Sequence, residues 1–409
     1  MTIHDTAAAD APGEPVAAPA AGGRVRDRMA SRESVASIAT SAAFVGVFVI
    51  FAFWLGEGFY TAPVRMFDIS RSAPQLVLTI AVVVCLCAQQ FDLSVAAVAT
   101  GGAFISIGLY LDADLPMGLA IAITVVTGLL AGLLNGVLVT KLGVNAFIAT
   151  LGTTGLFAGF TIVYSAGHII GPTTTTRALP SWFSGAGSIG DFQNKAPLWL
   201  GLALTAALLA ALLISFDQRF GNRSLTAPAR FGLLGGVGVV LLLGVWWTGV
   251  LDAMDFMAVI VFVVALLVWV VLKYTAMGQA VYAVGGSERA ASFAGIRTGR
   301  VAMGTFMFSG ALSSVAGVLI ASTQGSAAPS VADPLLLSAY AGAFLSTVIL
   351  SRGRFHIWGA VAGSIALVYI TSGLVAGGVP YTWTQVINGA VLIVTVSLST
   401  FLHRRQSRH

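Results

Sequence analysis

Runs of apolar residues, separated by short polar breaks, recur along the chain from Ile38 to Leu402. A helix needs roughly 20 mostly apolar residues to cross the hydrocarbon core of a bilayer, because it rises only about 1.5 Å per residue. On that measure the pattern predicts twelve spans, over 36–55, 75–90, 94–111, 116–139, 146–165, 197–216, 231–250, 255–273, 302–321, 335–351, 357–376 and 383–402. The expected fold class is therefore all-α, a polytopic membrane protein. Residues 1–35, rich in Ala, Pro, Gly and charge, bury too little apolar surface to fold alone and read as a disordered tail. Residues 36–402 form the transmembrane domain, with 273–301 a cytoplasmic loop inside it and 403–409 a short C-terminal tail. No clear small-residue cleavage site follows the first apolar run, so it is expected to stay as a helix.

An even number of spans puts both termini on one side, and charge says which. Cytoplasmic loops carry an excess of Lys and Arg. With both ends inside, only Arg65, Arg71, Arg177 and Lys195 of the 21 basic residues fall outside. One missed span would move every later loop across the membrane and scatter that imbalance. The exterior segments 56–74 and 166–196 are the long ones on that side and are candidate docking loops for an external partner.

Composition agrees, with 57% hydrophobic residues, 9% charged residues and a mean hydropathy of +0.91. A soluble domain of this length could not carry that surface, so lipid is the implied solvent. The net charge of +5 is spread among loops, which argues against a nucleic-acid partner. Cys85 and Cys87 lie two apart in one apolar segment, point to different sides of a helix and read as packing residues. The five His are too dispersed for a metal site, and no catalytic set converges. None of the three Lys sits in a G-x4-G-K-[ST] phosphate loop, so the chain is not expected to be an enzyme or to hydrolyse ATP. Gly185 to Gly190 match G-x-G-x-x-G, but in an exterior loop without βαβ context.

Within the apolar pattern a few polar positions stand out. Asp92, between the second and third spans, is the one carboxylate outside tails and loops. An ionisable group at membrane depth is a functional candidate by default. Its structural alternative is a cap on the helix that follows. If the flanking spans form a broken helix pair, Gln89, Gln90 and Ser94 lie beside Asp92 on unwound backbone, which must be buried in protein or line a water-filled path. Asn135, Thr150, Thr153 and Asn388 complete the candidate pathway, each with the alternative of a hydrogen bond between helices. Gly128, Gly132 and Gly136 form a small-residue seam, and Gly155 with Gly159 and Gly359 with Gly363 repeat it. In the cytoplasmic stretch Tyr282–Ile296, Ser287 suits an N-cap, Glu288 the positive helix end and Gly295 a stop, so a short helix is expected to rest against something else.

Four stretches carry a resemblance: Phe91-Asp92-Leu93-Ser94-Val95, Leu134-Asn135-Gly136 through Val144, Phe147 to Thr153, and Tyr282 to Ile296. From about residue 75 to 400 the chain resembles the membrane subunits of bacterial ATP-binding-cassette importers in the ribose and xylose permease family. The resemblance implies a permease in the bacterial inner membrane. Its partners would be a separate ATPase subunit that binds the ATP, an extracytoplasmic sugar-binding protein and a second permease copy or related chain. It implies that Ser287, Glu288, Arg289, Ala290 and Ala291 belong to the coupling helix that docks on the ATPase. An added pair of spans around Arg219, Arg223 and Arg230 is similar to the longer xylose-type members, pointing to xylose, ribose or another simple sugar. Gln90-Phe91 replaces the family's Gly-Gly, and Ser346 to His356 replaces its glycine-rich run, with bulkier side chains. The alternative from the residues alone is an ion-coupled secondary transporter, for which Asp92 is the one intramembrane acid.

Overall fold

The computed structural model describes residues 44–173, 177–184, 256–349 and 354–406. The expected tail at 1–35, the spans at 197–216 and 231–250 and, within the segment 166–196, residues 174–176 and 185–196 lie outside those residues. The elements are α1 (Phe44–Leu55), α2 (Glu57–Tyr60), α3 (Ala62–Arg71), α4 (Ala73–Cys87), α5 (Val95–Leu111), α6 (Met117–Thr140), α7 (Ala146–Ser165) and α8 (Ser181–Ser184). After the gap come α9 (Phe256–Tyr274), α10 (Ala276–Gly286), α11 (Glu288–Phe293), α12 (Thr298–Gln324), α13 (Asp333–Ile349), α14 (Ile357–Ala376) and α15 (Thr384–Gln406). Among the described residues the extended pairing is one isolated bridge, Ile170 to Ala327, so the fold there is all-α.

Each predicted span that falls on described residues coincides with one of these helices. Five of them, α6, α7, α9, α12 and α14, are long and apolar enough to cross a membrane alone. A sixth is obtained if α3 and α4, bent by 57° at Ser72, count as one broken span. The stretch 56–74, read as a loop, is instead mostly helix. Arg65 within it is buried, 3.0 Å from Asp68 and 4.0 Å above the Phe59 ring.

The centre of the molecule is α4. From Ala73 to Ala88 nearly every residue is buried, as expected of a helix that is apolar all round. Its neighbours are α12, α13, α14 and α9. The hydroxyl of Thr79, polar in that setting, pairs with Ser364 on α14 at 2.8 Å. The buried thiols of Cys85 and Cys87 donate to the carbonyls of Thr305 and Phe355.

The largest helix pairing joins α6 to α12, and glycine makes it. A Cβ added at Gly128, Gly132 or Gly136 would run into Gly310, Phe306 or Met303 of α12, and one added at Gly310 would strike Gly128. Small residues on both partners bring the backbones together and maximise packing where no hydrophobic drive separates helix from lipid. Gly363 of α14 meets Gly342 of α13 in the same way. Gly155 and Gly159 of α7 do not fit that expectation: among the described residues nothing lies within 4 Å of where their Cβ atoms would be.

Candidate functional site

The helix α4 stops at a Schellman turn. Gln90 N–H donates to the Cys85 carbonyl and Gln89 N–H to that of Leu86, satisfying two carbonyls the helix would leave free. The turn requires a left-handed residue, and Gln89 fills it with φ of +56° where glycine or asparagine is usual. The chain then stays non-helical until Ser94, so a break interrupts the run from α4 to α5, as the sequence predicts.

Asp92 sits in this break with 1% of its surface exposed. One carboxylate oxygen accepts from the Ser94 backbone N–H at 3.0 Å and the Ser94 hydroxyl at 2.5 Å. The other accepts from the Ser309 hydroxyl of α12 at 2.8 Å. Ser94 in turn accepts from the Asn135 amide of α6 at 2.9 Å, and Asn135 accepts from the Thr153 hydroxyl of α7 at 2.6 Å. The Tyr340 hydroxyl of α13 donates to the Asp92 carbonyl at 2.9 Å, and Thr154 donates to that of Leu93. A buried polar group is tolerable only when its bonds are made, and here four helices supply partners for one unwound segment. Asp92 does not cap the first-turn amides of α5; Ser94 is the N-cap, and Asp92 holds the turn that leads into it.

A cavity of about 860 Å³ opens beside the break. Gln89, Gln90, Phe91 and Leu93 form one wall, Asn145 and Phe147 at the start of α7 another, and Asp333, Leu336 and Tyr340 of α13 a third. Asp92 faces away from it, into the protein. The lining is mostly apolar, with aliphatic side chains and the rings of Phe91 and Phe147, and among them it holds amides, a phenol and a carboxylate, and no Lys, Arg or His.

The structure therefore gathers Asp92, Ser94, Asn135 and Thr153 into one network and puts Gln89 and Gln90 on the cavity wall. It does not bring in Thr150 or Asn388. The Thr150 hydroxyl is spent on the Ala146 carbonyl of its own helix, as is common for helical Thr, and Asn388 of α15 pairs with Ser338 of α13 at 2.5 Å. Sequence reading missed Ser309, Tyr340 and Asp333. Asp333 looked like loop, but the Ala332 N–H donates to Thr100 on α5 at 3.2 Å, folding the chain after α12 back along α5 before α13 begins. The signal available was an acid one residue before a proline that opens an apolar run.

On the side where α12 starts, α10 and α11 form the short helical segment expected over 282–296. The Ser287 hydroxyl accepts from the Ala290 N–H at 3.2 Å, and Gly295 takes φ of +82°. Ser287, Glu288, Arg289 and Ala290 are exposed, whereas Ala291 is buried and cannot meet a partner. Phe293, unremarked in the sequence, is 87% exposed at the tip.

A family model described as branched-chain amino acid transport system / permease component matches residues 66–396. The xylose transport system permease protein XylH of Escherichia coli (strain K12) is 27% identical over 376 residues, covering 89% of this chain and 91% of XylH. The autoinducer 2 import system permease protein LsrC of Escherichia coli O9:H4 (strain HS) is 29% identical over 308 residues, covering 75% of this chain and 70% of LsrC. No solved structure matches.

Proposed function

The chain belongs to the permease-component family of branched-chain amino acid transport systems, and on that premise we propose that it moves a monosaccharide such as xylose along the cavity beside Asp92. As a member it is the membrane subunit of an ATP-binding-cassette importer, a multi-pass protein of the bacterial inner membrane, and ATP hydrolysis belongs to a separate subunit. That removes the ion-coupled carrier from consideration. The sugar reading draws on the likeness to the xylose and autoinducer-2 permeases and on the lining of the cavity. Amide, phenol and carboxylate groups exchange hydrogen bonds with hydroxyls, and the ring of Phe91 offers a flat apolar face. A lining without cations favours a neutral solute over an anionic one.

In this reading the full chain has twelve spans with both termini in the cytoplasm, and it works with a second copy or a related chain. A soluble binding protein delivers sugar from outside. The ATPase subunit docks on the exposed face of Ser287, Glu288, Arg289 and Ala290, with Phe293 as the apolar anchor. Alternating access follows if the two partners bias two packings of the same helices. The permease needs no cofactor of its own. The observation that carries the proposal is the unwound segment 88–94, which lines the cavity with Gln89, Gln90, Phe91 and Leu93 and is held by side chains of four helices.

Affinity capture of the protein from its native membrane in mild detergent, with mass spectrometry of what accompanies it, tests the assembly. An ATP-binding subunit is expected in near-stoichiometric amount. It should be lost on Phe293→Asp or Glu288→Arg while permease abundance holds. Retention of that subunit by both variants would remove the docking assignment.

A further inference from the structure

The cavity wall and the cytoplasmic segment meet at the end of α4. The Gln89 side-chain amide donates to the Gly285 carbonyl, near the end of α10, at 2.6 Å. Gly285 lies so close to α4 that an added Cβ would penetrate the Cys87 carbonyl oxygen, so the two helix ends meet backbone to backbone. Tyr282, one turn earlier on α10, has its hydroxyl against the Cys87 thiol, and burial pushes that phenol well above its ordinary range, keeping it a neutral donor. Gln89 is also held in the left-handed region, where a non-glycine residue is costly. Glycine would make the same turn at less cost, so the turn alone does not explain a glutamine. Its side chain does: it spans from the cavity wall to α10.

We propose that Gln89 is a coupling residue, a clasp whose amide ties the cytoplasmic segment α10–α11 to the unwound segment 88–94. A displacement of α11 reaches Gly285 through the short connection at Gly286 and Ser287. At Gly285 it meets the end of α4 by direct contact and residue 89 by the hydrogen bond. From residue 89 it enters the wall that carries Gln90 and Phe91 and the turn anchored by Asp92. Ser309 marks the level of that anchor, roughly 16 Å along α12 from its start at Thr298. The clasp therefore joins the end of α10, next to α11, to the unwound segment through two residues, Gly285 and Gln89. It rests on the reading of α10–α11 as the surface that the ATPase subunit moves.

The test uses the complete importer, permease with its ATPase subunit and binding protein, in proteoliposomes, measuring xylose uptake per ATP hydrolysed. Gln89→Gly is the informative variant, because glycine relieves the left-handed backbone and cannot unfold the turn. Gln89→Glu keeps the size but sets a carboxylate against the Gly285 carbonyl. Gly285→Ala forces the helix ends apart, and Gly286→Ala is the control, since nothing lies within 4 Å of its added Cβ. Uptake per ATP is expected to fall about tenfold in the first three, within the usual range of coupling between sites, and to hold in the fourth. Uptake per ATP in Gln89→Gly within about twofold of wild type, well under that coupling range, overturns the proposal. A raised KM with unchanged uptake per ATP also overturns it, since Gln89 would then be a solute contact only. If the wild-type complex itself moves no xylose, the solute reading fails; the clasp is then tested by the ratio of ATP hydrolysis with and without loaded binding protein.

Discussion

Asp92 and Asp333 are two carboxylates with opposite duties. Asp92 spends both oxygens on Ser94 and Ser309 and shows the cavity nothing, so it locks the shape of the wall. Asp92→Ala strands the Ser94 N–H and the hydroxyls of Ser94 and Ser309, at about 1–3 kcal/mol for each donor left unpaired. We expect a lowered thermal midpoint in detergent, with solute preference unaltered in whatever folds; an unchanged midpoint would contradict the anchoring role. Asp333 is exposed on the wall, and a charged acceptor binds a hydroxyl more strongly than a neutral one. Asp333→Asn is expected to raise the KM of xylose uptake by about tenfold, as one charge-assisted bond of ~1.4 kcal/mol would. Equal kinetics would take Asp333 out of the solute path. Asp92 was legible in the sequence because it interrupts an apolar run. Asp333 was not, because the fold back along α5 that carries it depends on contacts between residues far apart in the chain, such as the hydrogen bond from Ala332 to Thr100.

Helix identity follows from apolar run length, so each described span was legible to within a few residues. Helix partnership does not, since it depends on which small residues meet which. The seam of Gly128, Gly132 and Gly136 was readable as a groove, but its occupant, α12 at Met303, Phe306 and Gly310, lies far along the chain. The similar pattern at Gly155 and Gly159 has no occupant among the described residues, and spacing alone does not distinguish the two. Gly132→Leu should push α6 off α12 against unyielding backbone, an overpacking cost of about 1–3 kcal/mol or more. Size-exclusion chromatography should show loss of the monodisperse species. Gly155→Leu, facing open space in this chain, should keep it, and a like outcome for both variants would refute the seam.

At the scale of the whole molecule, two things the sequence kept apart turn out to be neighbours. The unwound segment near Asp92 and the short helix at Ser287 are about 195 residues apart in the chain, yet Gln89 and Gly285 share a hydrogen bond. Local chemistry, such as the Ser287 cap and the Gly295 stop, was legible because it needs only near neighbours. The burial of Ala291 was not legible, because it depends on what lies under α11.

The burial of α4 on all sides also sets a schedule. Its partners α9, α12, α13 and α14 are all made later, and roughly 200 residues separate Cys87 from Thr298, which at 5–20 residues per second is about 10–40 s of synthesis. Until those four emerge α4 has only α3 and α5 of its neighbours beside it, and with 15 residues it is short for a bilayer on its own. The nascent chain must therefore keep this helix sheltered in the insertion machinery or leaning on α3 until its neighbours emerge. Chains released before residue 256 should be cleared by membrane proteases far faster than the full protein, which pulse-chase labelling of nested truncations would measure.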